Sequence, residues 1–377
     1  MKQGWEYKKL GEVCEVTMGQ SPNGSSINES EGIEFHQGKT CFGDRFLGKS
    51  NQYTTSPTKF AEVNSVLLCV RAPVGFPNIT NRKICIGRGL CSLISMPELD
   101  NNFLFYALLG KQDYFEKNAT GSTFKAISSK VVSNALIPLP PLAVQESIVR
   151  ELDEINNLIQ LKKEQIKDLD SLAQSLFYEM FGDPVENPKG WEIKKLGEVC
   201  LGKLKYGSGA SAIEYDGVVR YVRITDINDD GTLNDDIKSP SIIEDDYILQ
   251  EGDILFARSG ATVGKTYLHT NINQKCLYAG YLIKARIDNS IMCPLYVFHF
   301  TKSHAYKSWV MLNARAVAQP NINAKQYSDC PIPLPPLALQ QSFAERVEAI
   351  EKMKTEIKSA IADLEVLLAS RMQHWFD

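Results

Sequence analysis

The stretch Gly4-Trp5-Glu6-Tyr7-Lys8-Lys9-Leu10-Gly11-Glu12-Val13-Cys14 returns as Gly190-Trp191-Glu192-Ile193-Lys194-Lys195-Leu196-Gly197-Glu198-Val199-Cys200, with ten of eleven positions identical at an offset of 186. Self-similarity at a fixed offset is the first thing a fold reading has to explain. A second pair, Ile137-Pro138-Leu139-Pro140-Pro141-Leu142-Ala143-Val144-Gln145-Glu146-Ser147 and Ile332-Pro333-Leu334-Pro335-Pro336-Leu337-Ala338-Leu339-Gln340-Gln341-Ser342, shares nine of eleven at an offset of 195. The second enclosed segment is therefore nine residues longer than the first. Between the landmarks agreement is scattered: Leu67 with Leu255, Val74-Gly75 with Val263-Gly264, Gly89 with Gly280, Ile127 with Ile322. Plain drift after duplication would spread the differences evenly. Preserved frames around divergent contents point instead to one scaffold presenting two different ligand surfaces.

After each proline landmark no glycine or proline appears for more than 35 residues, which predicts two long helices. Apolar positions step by four and three through Ile148, Leu152, Ile155, Ile159, Lys162, Ile166, Leu169, Ala173 and Leu176, and through Phe343, Val347, Ile350, Lys354, Ile357, Ile361, Leu364, Leu368 and Arg371. That is a coiled-coil seam of about four heptads in each copy. Each seam carries a lysine, Lys162 and Lys354, and we read the two as equivalent and as a device that fixes register when the helices pack together. About 38 residues at 1.5 Å give each helix roughly 57 Å. Phe181-Gly182-Asp183-Pro184 through Asn187-Pro188-Lys189-Gly190 is turn chemistry and marks the join of the repeats.

The 377 residues suit two or three domains, and 44% hydrophobic with 23% charged is globular composition. No signal-like or membrane-spanning apolar run is present, so a soluble, cytoplasmic protein is expected. Nine cysteines with no Cys-x-x-Cys pair read as reduced, mostly buried thiols. A net charge of -4 and a pI near 5.9 argue against a polycation that coats nucleic acid. The charge is uneven: residues 19–140 carry net +3, 202–335 net 0, and the helical stretches 142–181 and 337–377 net -4 and -2. In the second segment the acid gathers at Asp226, Asp229, Asp230, Asp235, Asp236, Glu244, Asp245 and Asp246, which leaves room for a basic face from Lys203, Lys205, Arg220, Arg223, Arg258 and Lys265.

The segments about 15–136 and 201–331 read as mixed α/β with a strand bias. Ser65–Val70, Val218–Ile224 and Asp253–Ala257 are strand-like runs, and one helix is expected near the end of each segment, over Asn102–Glu116 and Leu295–Leu312. Gly260-Ala261-Thr262-Val263-Gly264-Lys265-Thr266 falls one residue short of a phosphate-binding loop, and its counterpart Ala72-Pro73-Val74-Gly75-Phe76 has no Lys-Thr. His36, His269, His299, His304 and His374 show no metal spacing, and no hydrolase, metalloprotease or methyltransferase motif occurs. A non-catalytic protein is the expectation.

The doubled Gly-Trp-Glu opening, the doubled Ile-Pro-Leu-Pro-Pro-Leu-Ala-x-Gln landmark with its long helix, Met180-Phe181-Gly182-Asp183-Pro184 at the join, and Gly252-Asp253-Ile254-Leu255-Phe256-Ala257-Arg258-Ser259-Gly260 together resemble the specificity subunits of type I restriction-modification enzymes, over essentially the whole chain. The resemblance implies an α+β fold: two mixed α/β target recognition domains related by the internal repeat, each followed by a long helix, the helices pairing as an antiparallel coiled coil. It divides the chain into a first target recognition domain (1–141), a first spacer helix (142–182), a second domain (183–336) and a second spacer helix (337–377). Each domain would read one half of a split sequence in double-stranded DNA, with the helices setting the gap and docking modification subunits that methylate adenine from S-adenosylmethionine. A restriction subunit would use ATP and magnesium to translocate and cut, so no cofactor is expected in this chain. Asn64-Ser65-Val66-Leu67-Leu68 departs from the pattern of Gly252–Phe256. Two other readings stand beside this one: a protein-binding coiled-coil scaffold, and a specificity module serving a methyltransferase that has no restriction subunit.

Base readout needs side chains that fork onto base edges, Arg or Lys to guanine and Asn or Gln to adenine. On loop-like stretches of the first domain the candidates are Gln20, Ser21, Asn23, Gln37, Lys39, Arg45, Arg71, Arg88, Ser122, Thr123 and Lys125. In the second they are Lys203, Lys205, Tyr206, Ser208, Arg223, Arg258, Ser259, Thr262, Lys265, Tyr278, Gln319, Asn321 and Asn323. Arg71 and Arg258, each just after a matching strand, are expected to be the leading pair.

Overall fold

The computed structural model describes residues 4–121, 125–271, 273–314 and 320–376. Its first lesson is that the two landmarks of each repeat pair with each other. Glu6–Lys9 runs antiparallel to Leu136–Leu139, and Glu192–Lys195 to Pro331–Leu334, in the same register. Such two-stranded ribbons tolerate the prolines because each strand is an edge. One turn follows each opening strand, and Glu12 and Glu198 reach back to accept from the backbone N–H of Lys9 (3.1 Å) and Lys195 (2.6 Å). The shared glycine is dictated by close approach: a Cβ on Gly11 would lie 3.0 Å from Ser133 Cβ, and one on Gly197 2.0 Å from Ser328 Oγ. The shared glutamine is fully buried in both repeats. Gln145 accepts from Asp100 N–H and donates to the carbonyls of Glu98 and Pro140; Gln340 accepts from Cys293 N–H and donates to Pro335 O. A buried amide left unpaired is costly, so this side chain fixes the start of each long helix against its domain.

Two compact units result, one of residues 1–163 with 359–377, the other of residues 164–358. The first holds an antiparallel sheet in the order Cys14–Met18, Leu90–Ser95, Val66–Cys69, Pro77–Ile79. The second holds the same sheet as Lys205–Tyr206, Leu282–Arg286, Asp253–Ala257, Thr266–Leu268. Each has in addition a parallel pair, Ile33–His36 with Ile84–Ile86 and Arg220–Val222 with Cys276–Tyr278. The central strand of each sheet is buried on both faces, which is why it reads as an unbroken apolar run. Val66 and Leu68 face a core with Phe103, Ile148 and Leu152, while Leu67 and Cys69 face one with Ile84 and Leu90. Ile254 and Phe256 pack with Tyr296, Phe343 and Val347, while Leu255 and Ala257 pack with Val222 and Tyr278.

The single helix expected near the end of each segment is a pair: Asn101–Leu109 and Gln112–Lys117, then Pro294–Phe300 and His304–Ala314. The first break falls at Gly110, where a Cβ would lie 2.8 Å from Phe376 Cβ. At the second, the Thr301 hydroxyl donates to Phe298 O and Ser303 Oγ accepts from Tyr306 N–H, ending one helix and capping the next.

The long helices span Leu142–Phe181 and Leu337–Phe376, 40 residues each, about 60 Å. Within the first unit Glu151 accepts from Arg371 (Nη2, 3.1 Å), and Lys163 pairs with Glu365 at 3.4 Å. Within the second, Asp170 meets Lys354 at 2.7 Å and the rings of Phe177 and Phe343 lie 5.8 Å apart. As one number rises the other falls, so the pairing is antiparallel, and the expected seam residues are buried or half-buried throughout. The two lysines lie in the seam as well, but at different places in it. At the repeat offset Lys354 falls on Ile159 and Lys162 on Ile357, so they are not equivalent. Lys354 is held by Asp170 and Glu351, whereas Lys162 has no ion pair among the described residues. Phe376 packs on Phe103 (5.4 Å) in the first unit and Phe181 on Tyr296 (4.7 Å) in the second, the same place filled by residues 195 apart. No described helix is long and apolar enough to cross a membrane.

Candidate nucleic-acid interface

At the end of each four-stranded sheet several turns are woven together by one hydrogen-bond pattern. In the first unit the N–H of Gly19 donates to Leu90 O, Gln20 to Ile86 O, Gly87 to His36 O, Leu90 to Gly87 O, Val70 to Gly89 O, Ile127 to Val70 O and Ala72 to Lys125 O. In the second, Gly207 donates to Leu282 O, Ser208 to Tyr278 O, Ala279 to Val222 O, Leu282 to Ala279 O, Arg258 to Tyr281 O, Ile322 to Arg258 O and Gly260 to Pro320 O. The bonds correspond one for one. Gly19 and Gly207 are required here, since a Cβ would meet the carbonyl oxygen of Gly87 at 2.2 Å or of Ala279 at 2.3 Å.

This pattern corrects the sequence register. Arg258 corresponds to Val70, and Arg71 to Ser259; likewise Gly280 corresponds to Arg88, and Gly89 to Tyr281. The expected leading pair, Arg71 and Arg258, is offset by one residue: Val70 and Arg258 make the same bonds to the neighbouring strand turn, so Arg71 stands where the second unit has Ser259.

In the first unit the frame gathers exposed Gln20, Gln37, Arg71, Arg88 and Lys125 along one edge. Ser21 is half-buried and its hydroxyl meets the Arg88 Nε at 3.4 Å; the Lys39 ammonium sits 3.8 Å from the centre of the Phe76 ring. Asn23 caps a short turn by accepting from Ser25 N–H. Arg45 is not part of this edge: its Nη1 donates to Asp153 at 2.5 Å, among Phe46, Phe105 and Tyr106. Ser122 and Thr123 lie outside the described residues. Behind the edge, Glu34 accepts twice from Arg82 (2.6 Å each) and from Ser50 N–H (2.6 Å). Burial opposes its charge, but these donors prevail and hold the carboxyl at about 2.

In the second unit the Arg258 guanidinium lies 4.8 Å from the centre of the Tyr206 ring, with its Nε 3.3 Å from Asn321 Oδ1. The Tyr206 hydroxyl accepts from Ala324 N–H, and Asn323 caps the helix Ala324–Ser328. Lys203 and Lys205 are exposed, Ser259 is half-buried, and the Thr262 hydroxyl donates to Ser259 O. Other candidates are engaged elsewhere. Lys265 pairs with Asp229 at 2.8 Å, beside Lys302, whose ammonium burial lowers to about 8. Arg223 is gripped by Asp226 and Asp236 at 2.6 and 2.9 Å. Two expectations fail on burial. Tyr278 is 0% exposed, a core residue forced inward by the strand it shares with Cys276, and Ser208 is 1% exposed, its hydroxyl spent on Glu244 Oε2. Gln319 lies outside the described residues.

One exposed aromatic on the frame escaped the sequence reading. Tyr281 is 63% exposed, at the turn between the strands Cys276–Tyr278 and Leu282–Arg286. An aromatic after Ala279-Gly280, between two apolar strands, was the available signal. All nine cysteines are free, and burial pushes the thiols of Cys14, Cys69, Cys91 and Cys200 up to about 12, the behaviour of core residues rather than nucleophiles. Among the described residues no His, Cys, Asp or Glu group is placed to hold a metal.

A family model described as type I restriction modification DNA specificity domain matches residues 2–170 and again 188–365. The chain is 39% identical over 178 residues to the "Putative type I restriction enzyme MjaX specificity subunit" of Methanocaldococcus jannaschii, a match covering 46% of this chain and 42% of that protein. It is 23% identical over 380 residues to the type I restriction enzyme MjaIX specificity subunit of the same organism, covering 92% and 86%. Among solved structures, the S subunit of a type I restriction-modification system from M. genitalium aligns over 99% of this chain and 96% of that one, at 16% identity and a TM-score of 0.57. A chain from a type I R-M system solved to explain complex assembly and conformational transition aligns over 100% and 98%, at 19% identity and a TM-score of 0.65. Both likenesses concern the fold.

Proposed function

The chain belongs to the type I restriction-modification DNA specificity family, and on that premise we propose that it is the sequence-reading, non-catalytic subunit of such a complex. Each unit reads one half of a bipartite target in double-stranded DNA. The division into domains 1–141 and 183–336 with spacer helices 142–182 and 337–377 is the functional one. The helices set the gap between half-targets and dock the modification subunits. In the assembled complex those subunits methylate adenine with S-adenosylmethionine, and a restriction subunit supplies ATP- and magnesium-dependent translocation and cleavage. The protein works in the cytoplasm, where the DNA it reads is found.

The observation that carries this reading is the matched pair of frames: the same backbone hydrogen bonds in both units beneath unlike exposed side chains. A scaffold that bound one protein ligand twice would have no use for that divergence. Two different half-targets require it.

Co-expression with a cognate modification subunit, followed by single-molecule sequencing of the DNA, is expected to show adenine methylation at a split, asymmetric motif only when both chains are present. A soluble complex that methylates no such motif would overturn the reading. Inserting one heptad into each long helix is expected to change the gap and leave both half-targets as they are. An altered half-target would contradict the assignment of the helices as spacers.

A further inference from the structure

We propose that the residues setting each half-target occupy one backbone frame common to both units, and that in the second unit the reading pair is Arg258 with Tyr281. This rests on the DNA-reading function above and assigns it to particular side chains.

The arginines of the two units differ in whether their fork is free. A guanidinium recognises guanine by presenting two parallel N–H groups to O6 and N7, so a fork already bound to a carboxylate or carbonyl is spent. Arg45 is spent on Asp153 and Arg82 on Glu34; Arg220 donates to Asn234 O, Arg223 is held by Asp226 and Asp236, and Arg286 by Asp253. Among the described residues outside the long helices, three arginines keep their terminal nitrogens unpaired: Arg71, Arg88 and Arg258. All three stand on the frame. Of the arginines that are spent, only Arg223 shares it.

Where the first unit has Arg71 and Arg88, the second has Ser259 and Gly280; where the second has Arg258 and Tyr281, the first has Val70 and Gly89. Each large reader in one unit thus faces a small or buried residue at the corresponding place in the other. Gly89 has no room for a side chain, since its Cβ would lie 2.0 Å from Gln37 O, while Tyr281 extends into solvent from the equivalent place. Arg258 is also preorganised: Tyr206 lies under its guanidinium and Asn321 holds the Nε, which leaves the two terminal nitrogens unpaired. Tyr281, bonded through its carbonyl to Arg258 N–H, adds an exposed aromatic side chain on the neighbouring strand turn, suited to pack on a base or thymine methyl.

The test uses the full chain co-expressed with its modification subunit and reads the methylated motif together with DNA affinity. Arg258→Ala and Tyr281→Ala are expected to relax one half-target only, with Arg258→Ala weakening binding about 10- to 100-fold. Arg88→Ala is expected to relax the other half-target. Arg258→Lys keeps the charge and loses the fork, so it should fail to restore the guanine preference. Tyr215→Ala, an exposed aromatic of the same unit outside the frame, should leave the motif intact. If an alanine variant melts early, Arg258→Lys and Tyr281→Ser carry the same comparison, Tyr281 being exposed. An unchanged motif and affinity in the Arg258 and Tyr281 variants, beside a wild type that methylates a split motif, overturns the frame alone. Weaker binding in Arg258→Ala with the half-target unrelaxed, and affinity recovered in Arg258→Lys, reduces Arg258 to a phosphate contact and also overturns it. A wild type that yields no motif overturns the function together with the frame.

Discussion

The two units share their backbone far more closely than their side chains. Seven turn hydrogen bonds, two sheet orders and a parallel strand pair recur, whereas the residues standing on them differ at nearly every exposed place. The recurring elements are those whose chemistry is internal: the glycines pressed by a carbonyl or serine, the buried glutamine, the glutamate that returns to its own turn. The lesson is that the surface varies freely once the backbone's polar groups are satisfied by other backbone groups.

The two units also differ in how firmly the end of a long helix is seated. Phe181 meets the rings of Phe177, Tyr296 and Phe343, while Phe376 meets Phe103. Phe181→Ala is expected to cost about 3 to 5 kcal/mol and Phe376→Ala a value at the lower end of that range. Urea unfolding with hydrogen exchange resolved by unit would measure both, and equal losses in both units for either variant would break the comparison.

A smaller effect concerns acid. Glu34 stands where the second unit has Arg220, so only the first unit has this carboxylate. With its folded value at about 2 and an ordinary value of 4.5, Glu34 contributes stability that is fully present above about pH 4.5 and is lost as pH falls toward 2. Glu34→Gln should therefore cost roughly 1 to 3 kcal/mol at pH 7 and little at pH 2. A cost that does not change with pH would remove Glu34 from the account.

The smallest effect is on the seam. Lys162 has no ion pair among the described residues, whereas Lys354 is held by Asp170. Lys162→Leu is expected to stabilise the first unit by under about 1 kcal/mol, and Lys354→Leu to gain less, because it gives up a pair. Thermal melts of the two variants would decide, and a larger gain at Lys354 would reverse the ranking.

Much of this was legible in the amino-acid order. The repeated openings and proline landmarks, the helix lengths and the apolar seams follow from patterns that local physics enforces, and the landmarks turned out to be the strands that pair. The register inside the frames was not legible. Between Cys14 and Ile137 so few residues match the second copy that two arginines after like strands look equivalent, and only the backbone hydrogen bonds set Arg71 against Ser259 and Arg258 against Val70. Tyr278 and Tyr281 look alike in sequence; only the strand's partners bury one and expose the other. The break at Gly110 depends on Phe376, which lies 266 residues away in the chain.

The discontinuity of the first unit bears on the order in which the chain is made. Residues 4–163 leave the ribosome before the second unit, yet the helix segment that completes their core, through Met372, Trp375 and Phe376, follows after it. The second unit is continuous over residues 164–358 and has all its parts sooner. Vectorial synthesis thus reverses the order of completion: the half begun earlier waits, with Phe103 and Trp5 lacking their C-terminal partners, until the whole of the second unit has been made.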